Sequence, residues 1–405
     1  MSNLKAEHDE LRIPNVLKVI YAPYKAVEEI ASNPTYWGPL LIAILFVASN
    51  VGFVYISSSK TYFEQTLPNG LNHDVWTENQ TFWTSNDNAT VSESSDVIPV
   101  SYAAGARQYY GPTSIAFSIN SSEISMELSN IGPINCSSPD GYDKLDFRVK
   151  QLSPQNSSVV NATLSLFSTS PSDSFHYNLT QNFSNSTVNE WNNLTDIQLG
   201  GSGWNKVNAG GDWNNITGLE LDLAWPAVSN ISLVVYGLFF HGSYQSSLES
   251  AGSSYVVSVV FSYALEFLVT MVILGGLLYL LSKGLGAKLV WKPLLIVVGC
   301  ILITMVVQAI VNIAAWGTLS NVYVPFALEG GIPGEGQAAL NAISSQTYFV
   351  SLTTEIFQIL TYVWTIALAG LAVHVLGKLS WAKSLLAATV AYFVTLVILS
   401  ILSLV

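Results

Sequence analysis

Charge is what this chain has least of. Only 10% of its 405 residues are Asp, Glu, Lys or Arg, against roughly 25% in an ordinary soluble protein. A deficit of that size excludes a chain solvated on every face and is what lipid-embedded segments produce. Cysteine is nearly missing too. Cys136 lies in a polar stretch and Cys300 in an apolar run, so no disulfide scaffold is expected. The five histidines, His8, His73, His176, His241 and His374, match no metal-ligand spacing. The sequence carries no G-x-S-x-G and no phosphate loop, so neither catalysis nor a cofactor is expected. The first apolar run starts after residue 36 and ends without a small-residue cleavage pattern; we expect it to remain as an anchor.

Basic residues are scarcest where the chain is most polar. Residues 57–254 hold 18 Asp/Glu against 6 Lys/Arg, which accounts for the whole net charge of −12. Such a segment repels phosphate, so nucleic acid is not an expected partner.

What is abundant is the acceptor pattern N-x-[ST]. It begins at Asn79, Asn88, Asn120, Asn135, Asn156, Asn161, Asn178, Asn182, Asn185, Asn193, Asn215 and Asn230. All twelve fall within 154 residues that hold 19 Asn and 36 Ser/Thr. Chance placement would give about four. Acceptor sites matter only on a surface that meets the glycosylation machinery, so covalent N-glycans on an outside domain are expected.

The remaining sequence reads as membrane. Residues 1–36 are expected to form short amphipathic helices on the cytoplasmic surface, with Pro23 interrupting them; a soluble helical hairpin is the alternative. Residues 37–56 form the first span, and the apolar runs 255–281, 293–319, 348–376 and 385–405 give four more. Lys5, Arg12, Lys18, Lys25, Lys283, Lys288, Lys292, Lys378 and Lys383 all fall on one side if the N-terminus is inside, and the loop 320–347 contains only Glu329 and Glu335 as charged residues. The positive-inside rule then places the N-terminus in the cytoplasm and residues 57–254 and the C-terminus outside. The acceptor asparagines independently require the same sidedness.

Within the outer segment, residues 57–96 are expected to be a stalk and residues 97–243 a β-sandwich. In the latter, Ile115/Phe117/Ile119, Ile124/Met126/Leu128 and Leu145/Phe147/Val149 alternate with polar neighbours. Residues 244–254 are expected to be a flexible linker. Sugar stacking would need exposed aromatic faces, and Tyr109, Tyr110 and Trp191 are the candidates, with Trp204 and Trp213 read as packing. Asp140, Asp143 and Asp146 could together hold a structural Ca²⁺. Inside the spans, Glu266, Glu355, Gln308, Asn312 and Gln358 are polar. They read either as helix-knitting groups or as a proton or substrate path.

Three patches, YAPYKAVEEIASNPTYWGPLLIAIL (21–45), KGLGAKLVWKPLLIVVG (283–299) and YVWTIALAGLAVHVLGKLSWAKSLLAATVAYF (362–393), resemble the Yip (Ypt-interacting protein) domain family. That resemblance implies a five-span bundle with the N-terminus inside. Its eukaryotic members engage small GTPases in vesicle traffic, which implies a trafficking-adaptor role. This chain departs by placing residues 57–254 where those relatives have a short loop. The segments YYGPTSIAFSI (109–119), GYDKLDFRV (141–149), GSGWNKV (201–207) and DWNNITGLELDL…ISLVVYGLFFHG (212–242) resemble the galactose-binding-like jelly roll of carbohydrate-binding modules, which implies an all-β sandwich and sugar binding.

Together these readings predict a multi-domain protein: a five-helix transmembrane bundle plus an extracellular jelly-roll sandwich. They describe a non-enzymatic multi-pass cell-surface glycoprotein, expected to be archaeal, that binds or organises envelope glycans or proteins. A transporter, channel or accessory subunit using the intramembrane carboxylates is the alternative.

Overall fold

The computed structural model describes residues 13–402 except 70–71, 103–106, 138, 140 and 185. The chain divides into two compact units. A helical unit takes the chain up to Thr61, then Ser246–Val322 and Gln346 onward; a β unit takes Tyr62–Gln245 and Tyr323–Ser345.

The helical unit opens with α1 (Ile13–Tyr21) and α2 (Pro23–Ser32). Ala22 leaves helical geometry between them, and Pro23 stands in the first turn of α2, where no N–H is required. Lys18 and Glu29 pair at 2.8 Å across the two helices, and Val19, Ala26 and Val27 are buried in the helical core. Helix α3 (Trp37–Lys60) follows directly after a short break.

The β unit begins with β1 (Thr61–Leu67), α4 (Val75–Glu78), β2 (Trp83–Ser85) and β3 (Thr90–Ser94). This region is not the expected stalk. Trp76 and Trp83 are buried in the main β core, and the Trp83 indole N–H donates to the Trp76 carbonyl at 2.6 Å. Two large aromatic side chains in a polar stretch were enough to fold it inward.

Next come β4 (Ser114–Ile134), β5 (Lys144–Ser153), β6 (Asn161–Ser168), β7 (Ser170–Asn178), α5 (Thr180–Ser184), β8 (Trp191–Gln198), β9 (Trp204–Lys206) and β10 (Ile216–Ser246). The strands form one large antiparallel sheet organised by the two longest, β4 and β10, which pair along most of their length. The register between them breaks between Ala224 and Ser229, and β10 changes its other neighbour there. Before the break it pairs with β6, and beyond it with β5. The sheet therefore changes partners at this irregularity, with β6 on one side of the break and β5 on the other. Leu219, Leu221, Leu223, Ile231, Leu233 and Val235 project from β10 into a single core, which is the period-two pattern of a half-buried strand.

A second piece of chain completes this unit. Strand β11 (Val322–Val324) adds beside β1, and Phe326 packs its ring among Tyr109, Phe239 and His241.

Strand β10 leads into α6 (Ser247–Gly284), which is broken at Gly252 (φ 66°, ψ −174°); the linker expected over 244–254 is thus a strand end and a short first helical turn that stop at this glycine. Ser246 accepts from the Glu249 amide while the Glu249 side chain accepts from the Ser246 amide, a capping box that fixes the start of the helix. The unit continues with α7 (Trp291–Ile301), α8 (Ile303–Gly317), α9 (Glu335–Gly377, its first residues in the β unit) and α10 (Trp381–Ile401). Among the described residues, five helical stretches are long and apolar enough to cross a membrane: 37–60, 255–284, 291–317 (α7 and α8 together), 335–377 and 381–401. Ala369, Gly370, Ala372, Ala388 and Ala391 are buried in the bundle, the small residues that let apolar helices approach closely.

Candidate functional site

The polar residues singled out inside the apolar helices are not scattered. Glu266 on α6, Gln308 and Asn312 on α8, and Gln358 on α9 line one partly enclosed cavity of about 370 Å³. Asn50 of α3 and Tyr392 and Thr395 of α10 complete its wall, so residues from all five apolar stretches contribute. Sequence reasoning missed the hydroxyls. Thr354, Gln358, Thr361 and Thr365 recur at helical spacing along α9, a stripe that was legible but not read as one.

The polar wall is mostly hydrogen-bonded within itself. Thr361 Oγ1 donates to Gln308 Oε1 at 2.9 Å, and Gln308 Nε2 donates to Asn312 Oδ1 at 2.9 Å. The Thr304 and Thr365 hydroxyls meet at 2.7 Å, and Gln358 donates to the Tyr362 hydroxyl. Glu355 stands apart from them. It is exposed and does not line the cavity, because it is turned about 100° around α9 from Thr354.

On the β unit, none of the described acceptor asparagines is buried. Asn88, Asn120, Asn135, Asn156, Asn161, Asn178, Asn182, Asn193 and Asn230 are exposed, and Asn79 and Asn215 are half-buried. Asn185 lies outside the described residues.

Two of the three expected sugar-stacking residues are buried. Tyr109 and Tyr110 are only 2% and 4% exposed. They pack with Phe239, Tyr236 and Phe326, so neither offers a face to a ligand. Alternation could not reveal this, since the partner Phe326 comes from a distant loop. Trp191 is half-buried, with Tyr236 against it at 5.8 Å and Lys150 Nζ 5.7 Å from its ring centre. Trp204 and Trp213 pack on Tyr177 and Phe175 beside the core.

The three aspartates considered for Ca²⁺ are not all described. Asp140 lies outside the described residues, and Asp146 is engaged by His241 and by the Asp196 amide. No metal-holding group occurs among the described residues.

The β unit also buries charge. His241 lies 2.7 Å from Glu64 through Nδ1 and 2.8 Å from Asp146 through Nε2, and all three are at most 5% exposed. Burial alone would lower the imidazole pKa, but the hydrogen bonds and charges of Asp146 and Glu64 raise it from 6.5 to about 9. The second Glu64 oxygen accepts from the Phe326 amide at 2.8 Å. Nearby, the fully buried Arg148 donates through Nη2 to both carboxylate oxygens of Glu335, at 2.9 and 3.1 Å. The sequence signal for this pair was the acidic loop 320–347 opposite a segment with very few basic residues.

No family model matches the chain, and no curated protein matches it by sequence. Among solved structures, it is similar to a family 11 carbohydrate-binding module from Clostridium thermocellum in complex with a β-1,3-1,4-mixed-linked tetrasaccharide. Identity is 16% over 44% of this chain and 96% of that one, with a TM-score of 0.28. A second family 11 module, from a cellulosomal cellulase of the same organism, matches at 13% identity over 39% and 84%, TM-score 0.25. An exo-β-agarase matches at 12% over 43% of this chain, which spans 25% of that enzyme's chain, TM-score 0.28. The class of protein that the chain's own strands and helices define is a large antiparallel β unit combined with a bundle of long apolar helices.

Proposed function

We propose that this chain is a non-enzymatic, multi-pass membrane glycoprotein of the cell surface. The helical bundle, with Yip-like order of its spans, anchors it. The β unit stands outside and binds or organises envelope components, glycans or neighbouring proteins. The observation that carries this reading is the placement of the acceptor asparagines: twelve are crowded into one stretch of sequence, and none of those described is buried in the folded β unit. A domain with no glycans would have no physical reason to spread that motif over strands and turns alike. The distribution of lysine supports the same sidedness, since none of the nine basic residues beyond 57–254 falls in the loop 320–347.

Glycopeptide mapping combined with protease added outside intact cells tests it. The expected result is modified Asn88, Asn120, Asn156 and their neighbours, and release of β-unit peptides by the external protease. Bare asparagines together with a protected β unit would overturn the proposal.

A further inference from the structure

The cavity in the helical bundle contains one ionisable carboxylate and no opposite charge. Glu266 makes no hydrogen bond or ion pair among the described residues, and none of the residues lining the cavity is Lys, Arg or His. One helical turn along, the Thr270 hydroxyl is buried at 3% exposure, without any hydrogen-bond partner, and lines the same space. Gln308 bonds Asn312 and Thr361, and Thr365 bonds Thr304, whereas these two groups on α6 are left open. A carboxylate among apolar helices is costly to leave unpaired, and a buried hydroxyl without a partner costs about 1–3 kcal/mol.

The other ingredient is aromatic. Phe46 and Phe53 of α3, Trp316 of α8, Tyr362 of α9 and Tyr392 of α10 line the cavity as well. Tyr362 and Tyr392 meet edge to face at 5.6 Å, as Phe53 and Trp316 do at 6.3 Å. Ring faces attract a cation, and more strongly where water is excluded. At about 370 Å³, the space is far larger than a bare metal ion needs and lies within the range of small-molecule pockets. An anionic headgroup would find no basic partner here.

We propose that this cavity is a binding site for a small organic ammonium ion, with Glu266 as its counter-charge, Thr270 as a hydrogen-bond partner and the aromatic residues as its walls. The site lies within the helical unit alone and does not depend on the reading of the β unit given above.

The test uses the full-length protein in lipid nanodiscs and two probes of one shape: choline, which is cationic, and 3,3-dimethylbutan-1-ol, its uncharged isostere. Binding is followed by calorimetry and by quenching of tryptophan emission. Choline is expected to bind, the isostere at least tenfold more weakly, and Glu266→Gln to weaken choline at least tenfold while leaving glycan occupancy unchanged. Thr270→Val is expected to weaken choline by a few-fold. If Glu266→Gln fails to fold, the choline–isostere comparison on the unmodified protein and the Thr270→Val variant carry the test. Equal binding of the two probes, no binding of either, or full choline affinity in a folded Glu266→Gln protein each overturns the proposal.

Discussion

Asn120 and Asn230 stand directly opposite one another across β4 and β10, beside the break in their register. Both are exposed, and both begin an acceptor motif. Side chains of directly opposed residues project from the same face about 5 Å apart, which leaves little room for two branched glycans. Mass spectrometry of peptides from single molecules should therefore find the doubly modified form depleted relative to the product of the two separate occupancies. Replacing Asn120 by Gln should raise occupancy at Asn230.

Glu335 is the carboxylate that neutralises the fully buried Arg148. Removing one member of a buried pair leaves an uncompensated charge and costs about 3–5 kcal/mol; since Glu335 is itself 29% exposed, water recovers part of that, and Glu335→Ala is expected near the lower end. Thermal unfolding of the β unit, followed by tryptophan fluorescence, measures it. Arg148→Met, which removes the charge as well, is expected to cost less than Glu335→Ala does.

The ring of His241 makes the β unit sensitive to base. Its folded pKa of about 9 lies above the ordinary 6.5, so the stability it contributes is full below about pH 6.5 and is lost as pH rises through 9. The total is on the order of 3 kcal/mol. The melting temperature should fall between pH 6.5 and 9.5, and His241→Asn should flatten that slope. The same variant should be less stable at pH 6.5 by about 3–5 kcal/mol, because Glu64 and Asp146 then share a buried site with no cation.

Gly237 has φ of +64° at the register break between Tyr236 and Phe239. A Cβ there would stand 2.7 Å from the Tyr110 ring and 3.1 Å from the Arg148 guanidinium, while its amide donates to Asp74 Oδ2 at 3.0 Å. Gly237→Ala should cost about 2–4 kcal/mol, from left-handed backbone and overpacking together. Gly200→Ala is the control: its φ is also positive, at +68°, but its nearest contact is 3.8 Å away, so about 1 kcal/mol is expected. Equal losses in chemical denaturation would rule out the packing argument.

The apolar helices and alternating strands were legible because each obeys a local period. Leu219, Leu221 and Leu223 announce a strand, and Trp37–Lys60 a long apolar helix, whatever lies elsewhere in the chain. Tyr109 and Tyr110 were misread because their burial depends on Phe239 and Phe326, residues 129 or more positions away that no window spans. The cavity was half legible. Its amides and Glu266 stood out as polar residues in apolar runs, but Thr270 and Thr361 did not, since a threonine in such a helix ordinarily bonds its own backbone. Whether it faces a void is decided only when the helices pack.

Because the β unit takes its last pieces from Tyr323–Ser345, a ribosome making this chain produces α6, α7 and α8 before that unit can be finished. Until Glu335 is synthesised, Arg148 has no partner, and until Phe326 arrives the aromatic pocket around Tyr109 stays open. The β unit therefore waits for apolar helices that follow most of it in the chain, and quality control that inspects its surface also reads whether those helices were made.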